Sequence, residues 1–438
     1  MRKLFVFALL ITGLIAQSEA QTDSLAAARK LGKEAAEYLK SNDFESIHQL
    51  FSEELATVLP STRLEKSFST LTPQFGAINE ILEFKARETA ETTYFHQAIK
   101  FKEQTLDLVF TLDDADKFTS FSLRPHQKMY DWTAPDYTSD SSSYFEQEVT
   151  IGDSMKLRGK FTFPSSPDFK TIVVFVHGSG PNDMDETLGP NKLFKDLAYG
   201  LATNGIASLR YNKRTYDYPS AMAKQANSLT IQQVTVDDAV SAIQLAKEKG
   251  VNKVVLLGHS LGGYCAPMIA ELAQPDAVIV LAGNVSPLED LLIPQFEHIK
   301  ENDTSTKIND FQMAMIRSQV ERVQKGDYDS TTAPPLLPLS LPASFWLSLQ
   351  DYNPQKVAKK QGHPYLILNG KRDYQVTPKE AKKWKDGSKN KHSKTIIYPK
   401  LNHMFFEGEG ICIPSEYEKE GHLSEDVLKD VVNWINEI

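Results

Sequence analysis

The chain has 438 residues, 41% hydrophobic and 24% charged, with a formal net charge of −9 and two cysteines. That length predicts two or three domains with a substantial core, at roughly 150 residues per domain. The acidic balance argues against a nucleic-acid partner, and two cysteines exclude a disulfide scaffold or a cysteine-rich metal site.

In chain order, Arg2 and Lys3 precede an apolar run from Leu4 to Ala16, polar Gln17, and the small residues Ser18 and Ala20. This is the pattern of a secretory signal peptide over residues 1–20, and it predicts export to the periplasm or the medium. The run is too short to span a bilayer and no later run approaches ~20 apolar residues, so no membrane insertion is expected.

Residues 21–125 read as a small α+β domain. Leu25, Ala28, Leu31, Ala35, Tyr38 and Leu39 form one stripe of a helix. Phe44, Ile47, Phe51 and Leu55 predict a second behind the capping candidate Asp43, and Leu64, Phe68, Leu71 and Phe75 a third. The period then changes to two: Leu106, Leu108, Phe110 and Leu112 alternate with polar or smaller neighbours, as in a half-buried strand. Tyr94 to Lys102 and Phe118 to Leu123 are expected beside it. Helices followed by antiparallel strands resemble the nuclear-transport-factor-like fold, and this stretch contains no catalytic constellation.

Residues 126–143, rich in proline, aspartate and serine, read as a linker. From 144 to 438 the pattern predicts a doubly wound, mostly parallel sheet. A strand pair at Tyr144 to Ile151 and Leu157 to Phe163 leads into apolar runs at Ile172 to Val176, Ile206 to Leu209, Val254 to Leu257, Ala277 to Leu281, Tyr365 to Leu368 and Thr395 to Tyr398. Several are continuous rather than alternating, which requires helices on both faces. About residues 284–362 the rhythm is interrupted by an insert whose size suggests a cap. Its Ile308 to Val323 stretch is helical, and Phe296, Phe311, Met313, Met315, Phe345 and Trp346 are read as mostly core, with a minority lining an acyl pocket. The lysines from Lys379 to Lys394 read as a solvated face.

The centre of the chain is Val254-Val255-Leu256-Leu257-Gly258-His259-Ser260-Leu261-Gly262-Gly263. A buried strand, a Gly-x-Ser-x-Gly turn and a helix in that order form a nucleophile elbow, with Gly258 and Gly262 small because two backbones pass closely there. The Leu261 N–H, at the start of the helix, is a candidate oxyanion donor. The strand Ile172 to Val176 runs into His177-Gly178-Ser179-Gly180-Pro181, where the Ser179 N–H is the second candidate. A serine hydroxyl needs a base and a group to orient that base. Of the ten histidines, His403, in the loop after the last strand, is favoured over His392 and His422. Asp373, at the end of the penultimate strand, is the candidate acid, although Lys371 and Arg372 beside it leave a salt-bridged surface aspartate as the other reading. Cys265 and Cys412 could form one bridge in an oxidising compartment or stay as buried thiols.

The segments His177-Gly178-Ser179-Gly180-Pro181-Asn182-Asp183, Leu209-Arg210-Tyr211-Asn212-Lys213-Arg214 and Gly258-His259-Ser260-Leu261-Gly262-Gly263, with Asp373 and His403, resemble the bacterial esterase D group of α/β-hydrolases. The resemblance implies a carboxylesterase for small acyl esters with no metal or organic cofactor, in which Ser260 is nucleophile, His403 base and Asp373 orienter. Asn212 departs from the expected aspartate and puts an ion pair with Arg214 in doubt. Asp183, Asp185 and Glu186 are expected to pair with the basic cluster around Arg210. Were they to face the cleft and hold an ammonium, the chain would instead be a serine aminopeptidase or amidase. A binding protein with a scaffold hydrolase domain is the other alternative.

Overall fold

The computed structural model describes residues 24–128, 130–138, 140–384 and 390–438. The signal-peptide segment, the Leu71 side chain and part of the lysine run lie outside the described residues. The chain divides into two compact units, one through residue 128 and one from residue 129 on.

In the first unit, helix α1 covers 24–41, followed by α2 (Phe44–Gln49), α3 (Glu53–Val58) and α4 (Ser61–Phe75). Strands β1 (Ile78–Glu88), β2 (Thr93–Phe101), β3 (Thr105–Leu112) and β4 (Phe118–Pro125) then form an antiparallel meander in sequence order. Asp43 caps α2 by accepting the Ser46 N–H at 3.0 Å. The single helix expected from Phe44 to Leu55 is in fact two. Phe51 leaves the helix to bridge Phe118, and the Ser52 N–H donates to the Phe118 carbonyl at 2.9 Å. Ser52 then caps α3. Pairing with a strand far along the chain has overridden a local helical period.

Strand β1 was not expected. Its sequence is charged and carries no clean alternation, and as an edge strand with two register irregularities it relies on pairing with β2 rather than on its own pattern. Strand β3 is buried on both faces, not one: Asp107 and Val109 are as inaccessible as Leu108 and Phe110. Asp107 meets His126 Nδ1 at 2.6 Å and accepts the Gln127 N–H at 3.0 Å.

The second unit is built on an eight-stranded sheet. Its strands are β5 (Tyr144–Ile151), β6 (Leu157–Pro164), β7 (Thr171–Val176), β10 (Ala207–Tyr211), β11 (Lys253–His259), β12 (Ala277–Leu281), β13 (Tyr365–Gly370) and β14 (Lys394–Tyr398). Between β7 and β10 lie a short hairpin, β8 (Thr187–Leu188) and β9 (Asn191–Lys192), and helix α5 (Leu193–Thr203). The order is β14-β13-β12-β11-β7-β10-β6-β5, parallel from β14 to β10 and antiparallel at β6 and β5. Helices α6 (Arg214–Asp217), α7 (Pro219–Lys224) and α8 (Asp237–Lys247) follow β10, and α9 (Leu261–Ala273) follows β11.

Because successive strand residues point to opposite faces, each strand feeds two cores. Val174, Leu256, Val278 and Ile367 pack with Ile243 of α8 and Ile269 of α9. Phe175, Leu257, Ile279 and Leu368 pack on the other face with Leu197 and Leu201 of α5 and with Val431 and Trp434. The last two belong to the terminal helix, Glu425–Glu437. This is the α/β-hydrolase fold.

From β7 the chain runs outward to β10, then returns to add β11 on the other side of β7. The winding direction therefore reverses between β7 and β11, which opens a crevice beyond their C-terminal ends. Between β12 and β13 the insertion supplies α10 (Leu288–Asn302), α11 (Asp310–Lys325), α12 (Ala343–Leu347) and α13 (Pro354–Gln361). Phe311 and Met315 of α11, expected in its core, are 78% and 47% exposed. They occupy the outer face of a helix that buries Met313 and Val320.

Candidate active site

Strand β11 ends at His259, and Ser260 follows with φ 51° and ψ −115°, a left-sided conformation that costs a non-glycine residue about 1–3 kcal/mol. The turn is held at both ends: the Ser260 N–H donates to the Leu281 carbonyl at 2.9 Å, and the Ser260 carbonyl accepts the Tyr264 N–H at 2.9 Å. The glycines on either side are required by space. A Cβ on Gly258 would lie 2.3 Å from the Gly262 oxygen, and one on Gly262 would lie 2.2 Å from the Val176 oxygen. Leu261 occupies the first position of α9, where its N–H has no carbonyl one turn back within the helix.

Asp373 is 3% exposed, not a salt-bridged surface aspartate. Its Oδ1 accepts the Gln375 and Val376 N–H groups at 2.8 and 2.9 Å, and its Oδ2 meets His403 Nδ1 at 2.7 Å. Arg372 turns away to Glu416. Two backbones meet so closely here that a Cβ on Gly370 would lie 2.2 Å from the Leu401 oxygen. That approach sets the loop after β14 against the loop after β13. Asn402 fixes the His403 turn, its Oδ1 accepting the Met404 and Phe406 N–H groups at 3.0 and 3.1 Å. The His392 carbonyl accepts the Trp434 indole N–H, and His422 pairs with Asp196, so neither joins this group.

The loop after β7 lies against the serine, since a Cβ on Gly178 would stand 3.1 Å from Ser260 Cβ. Its three acids have separate tasks. Asp183 accepts the Thr187 N–H at 3.0 Å. Asp185 joins Arg210 Nε at 2.8 Å and Lys192 Nζ at 2.9 Å; burial raises its pKa, but the two cations outweigh that and hold it at about 2. Arg210 also pairs with Glu146. Arg214 bypasses this loop and pairs with Asp238, while Asn212 accepts the Met184 N–H at 2.7 Å and donates to Asp217 at 2.9 Å.

Glu186, the third acid, turns inward. Its Oε1 accepts the Gly178 N–H at 2.6 Å, and its Oε2 lies 3.0 Å from His259 Nδ1, an ion-pair contact without hydrogen-bond alignment. His259 Nε2 reaches the His403 carbonyl at 3.0 Å. Burial disfavours both charges, yet their mutual attraction prevails: Glu186 is lowered and His259 raised, each favouring the charged form of the other. Lys213 Nζ donates to the Gly178 carbonyl at 2.9 Å, and burial pushes this lysine down to about 8. Burial likewise takes His177 down to about 4, packed between Phe194 and Tyr211. The sequence alone groups these acids and bases in one ion-pair network. A signal that could have separated Glu186 is the histidine between Gly258 and Ser260, a buried imidazole that an inward-turned carboxylate can pair with.

Ser260, His403, Ser179, Leu261, Glu186 and Lys213 all border one cleft of about 750 Å³. The rest of its wall is mostly apolar, with Phe296, Phe345 and Trp346 from the insertion and with Leu188 and Leu339, 42% and 55% exposed, among its lining residues. Cys265 and Cys412 are buried free thiols, so the bridge left open by the sequence is not formed. Among the described residues no cluster of three or more His, Cys, Asp or Glu is arranged to hold a metal ion, and no helix is long and apolar enough to cross a membrane.

The sheet order, the strained serine turn and the aspartate–histidine pair define an α/β-hydrolase, and the chain belongs to that superfamily. A family model described as serine aminopeptidase, S33, matches residues 167–409, and one described as a protein of unknown function (DUF3887) matches residues 33–121. Esterase EstD of Thermotoga maritima is 32% identical over 401 residues, covering 91% of this chain and 93% of that protein. The chain is therefore a member of the family that includes this esterase. Among solved structures, Est1E from Butyrivibrio proteoclasticus aligns with a TM-score of 0.42 and 16% identity over 66% of this chain and 98% of that one. The Pyrococcus furiosus esterase Pf2001 aligns with 0.43 and 12% over 72% and 96%.

Proposed function

We propose that this carboxylic ester hydrolase works through a serine acyl-enzyme and is exported. The observation that carries the mechanism is the 2.7 Å contact of His403 Nδ1 with buried Asp373, with His403 and Ser260 bordering the same cleft. Asp373 keeps the imidazole proton on Nδ1, which leaves Nε2 free as a base. Nε2 takes the Ser260 proton as the serine oxygen bonds to the ester carbonyl carbon. The resulting oxyanion is bound by the Ser179 and Leu261 N–H groups. Collapse breaks the bond to the alcohol, which leaves with the proton from His403. Water then repeats the sequence on the acyl-enzyme, releasing the acid and restoring Ser260. Export is supported by the pattern from Arg2 to Ala20.

An aminopeptidase would need an anion for the substrate ammonium. Asp183, Asp185 and Glu186 are already engaged by Thr187, by Arg210 and Lys192, and by Gly178 and His259. That favours small-molecule esters with uncharged acyl groups.

The test is turnover of p-nitrophenyl acetate, butyrate and octanoate beside an amino-acid p-nitroanilide, with Ser260→Ala as control. Ester hydrolysis that vanishes in the variant, with an initial burst of p-nitrophenol, is the expected result, and the series shows how long an acyl chain the cleft accepts. Preferred anilide cleavage would move the enzyme to the peptidases. Folded protein inert on every substrate would return the binding-protein reading.

A further inference from the structure

We propose that Lys213 and Glu186 form a buried clamp on Gly178 that orients and polarises the Gly178–Ser179 peptide, making both of them positioning residues for the oxyanion donor, with His259 tying the clamp to the His403 loop. The inference rests on the reading of the Ser179 N–H as an oxyanion donor.

The geometry bears on a single residue from two sides. Glu186 holds the Gly178 N–H at 2.6 Å, and Lys213 holds the Gly178 carbonyl at 2.9 Å, supported by Asn182 Nδ2 at 3.2 Å. A trans peptide is planar, with its C=O and the following N–H on opposite sides. Fixing the Gly178 oxygen therefore fixes the direction of the Ser179 N–H. A cation on the oxygen also draws electron density through the amide, so that this N–H becomes a stronger donor in the low dielectric of the site. Rigidity is contributed by Glu186 itself, whose backbone φ of 50° turns the chain inward at this point.

A purely structural role would not require this chemistry. Lys213, Glu186 and His259 are 4%, 6% and 2% exposed, and apolar side chains of similar volume could pack such a space at least as stably. What apolar groups could not supply is charge. The groups facing Lys213 are Glu186 and His177 after β7, Asp238 on α8 and Cys265 on α9. Cys265 is pushed by burial up to about 12, and His177 down to about 4, so both are neutral near pH 7. Asp238 is paired with Arg214. That leaves Lys213 and Glu186 as the charged groups bonded directly to Gly178, beneath the peptide that would meet the developing oxyanion.

The experiment is steady-state hydrolysis of p-nitrophenyl butyrate from pH 6 to 10 by wild type, Lys213→Met and Ser260→Ala, with thermal unfolding of each. In wild type kcat should fall with a midpoint of about 8 as the lysine loses its charge. In Lys213→Met kcat should be about 10- to 100-fold lower at pH 7, KM should change less than threefold, and the alkaline fall should be absent. A folded Lys213→Met with wild-type kcat and the same alkaline fall would overturn the clamp while Ser260→Ala, still inactive, would keep the esterase reading. A wild-type kcat that stays level to pH 10 would overturn it without recourse to any variant. Wild type inactive on esters at every pH would instead remove the reading on which the clamp rests.

Discussion

Gly262 is the position at which the least change should do the most damage. A Cβ there would lie 2.2 Å from the Val176 oxygen, 2.7 Å from its carbonyl carbon and 2.8 Å from the His177 oxygen. All three are backbone atoms, so no side-chain rotation relieves the contact. Helix α9 cannot withdraw, because Ala266, Ile269 and Ala270 on its length are fully buried. Strand β7 is hydrogen-bonded to β10 on one side and β11 on the other. Reaching even 3.0 Å requires a displacement of about 0.8 Å, and it falls on the two residues that lead directly into Gly178 and Ser179. Misplacing a catalytic group by ~1 Å costs on the order of 100-fold in rate, and overpacking costs about 1–3 kcal/mol of stability. Gly262→Ala should therefore lower kcat on p-nitrophenyl butyrate by about 100-fold and reduce the melting temperature measurably. Active-site titration would correct the rate for folded fraction. A variant with kcat within threefold of wild type and an unchanged melting temperature would refute the close-packed elbow.

Asp373→Asn should lower kcat about 10³- to 10⁴-fold with little change in KM, because the amide no longer selects the imidazole tautomer; a loss under tenfold would argue against its role. Asp185→Asn leaves Arg210, 2% exposed, with Glu146 as its remaining carboxylate partner, and should cost about 3–5 kcal/mol in denaturant unfolding. His177 has a folded pKa of about 4 against an ordinary value of 6.5. Between those values the unfolded chain binds the extra proton, so the stability tied to this residue is complete above about pH 6.5 and is lost as pH falls toward 4, by about 3 kcal/mol in all. His177→Phe should flatten this part of the pH dependence of the urea midpoint; an unaltered slope would show that the buried histidine is not its source.

Legibility in the sequence followed the range of the interaction. Strands β7, β11, β12 and β13 announced themselves as continuous apolar runs, because a parallel strand covered on both faces needs no polar alternation. The elbow was equally plain, since backbone crowding at Gly258 and Gly262 admits no side chain and leaves a visible motif. Ser260 and Asp373 could be singled out because each stands just beyond the end of such a strand, and His403 because it lies in the loop after the last strand, β14. Strand β1 left no such trace, its charged edge being stabilised by β2. Nor could the period of Phe44 to Leu55 reveal that Phe51 would be claimed by β4.

By itself, then, the sequence determined the succession of the eight strands of the large sheet and the three candidate residues, because these rest on short-range pattern and on steric limits within a few residues. Only the tertiary structure decided that Asp373 is buried beside His403 rather than paired on the surface with Arg372. It alone decided that Asp185 serves Arg210 while Glu186, next in the chain, turns inward to Gly178 and His259. Adjacent carboxylates look alike in a sequence. Their partners are chosen by where β10, β11 and the loop after β14 converge, and by the cost of leaving a buried charge unpaired.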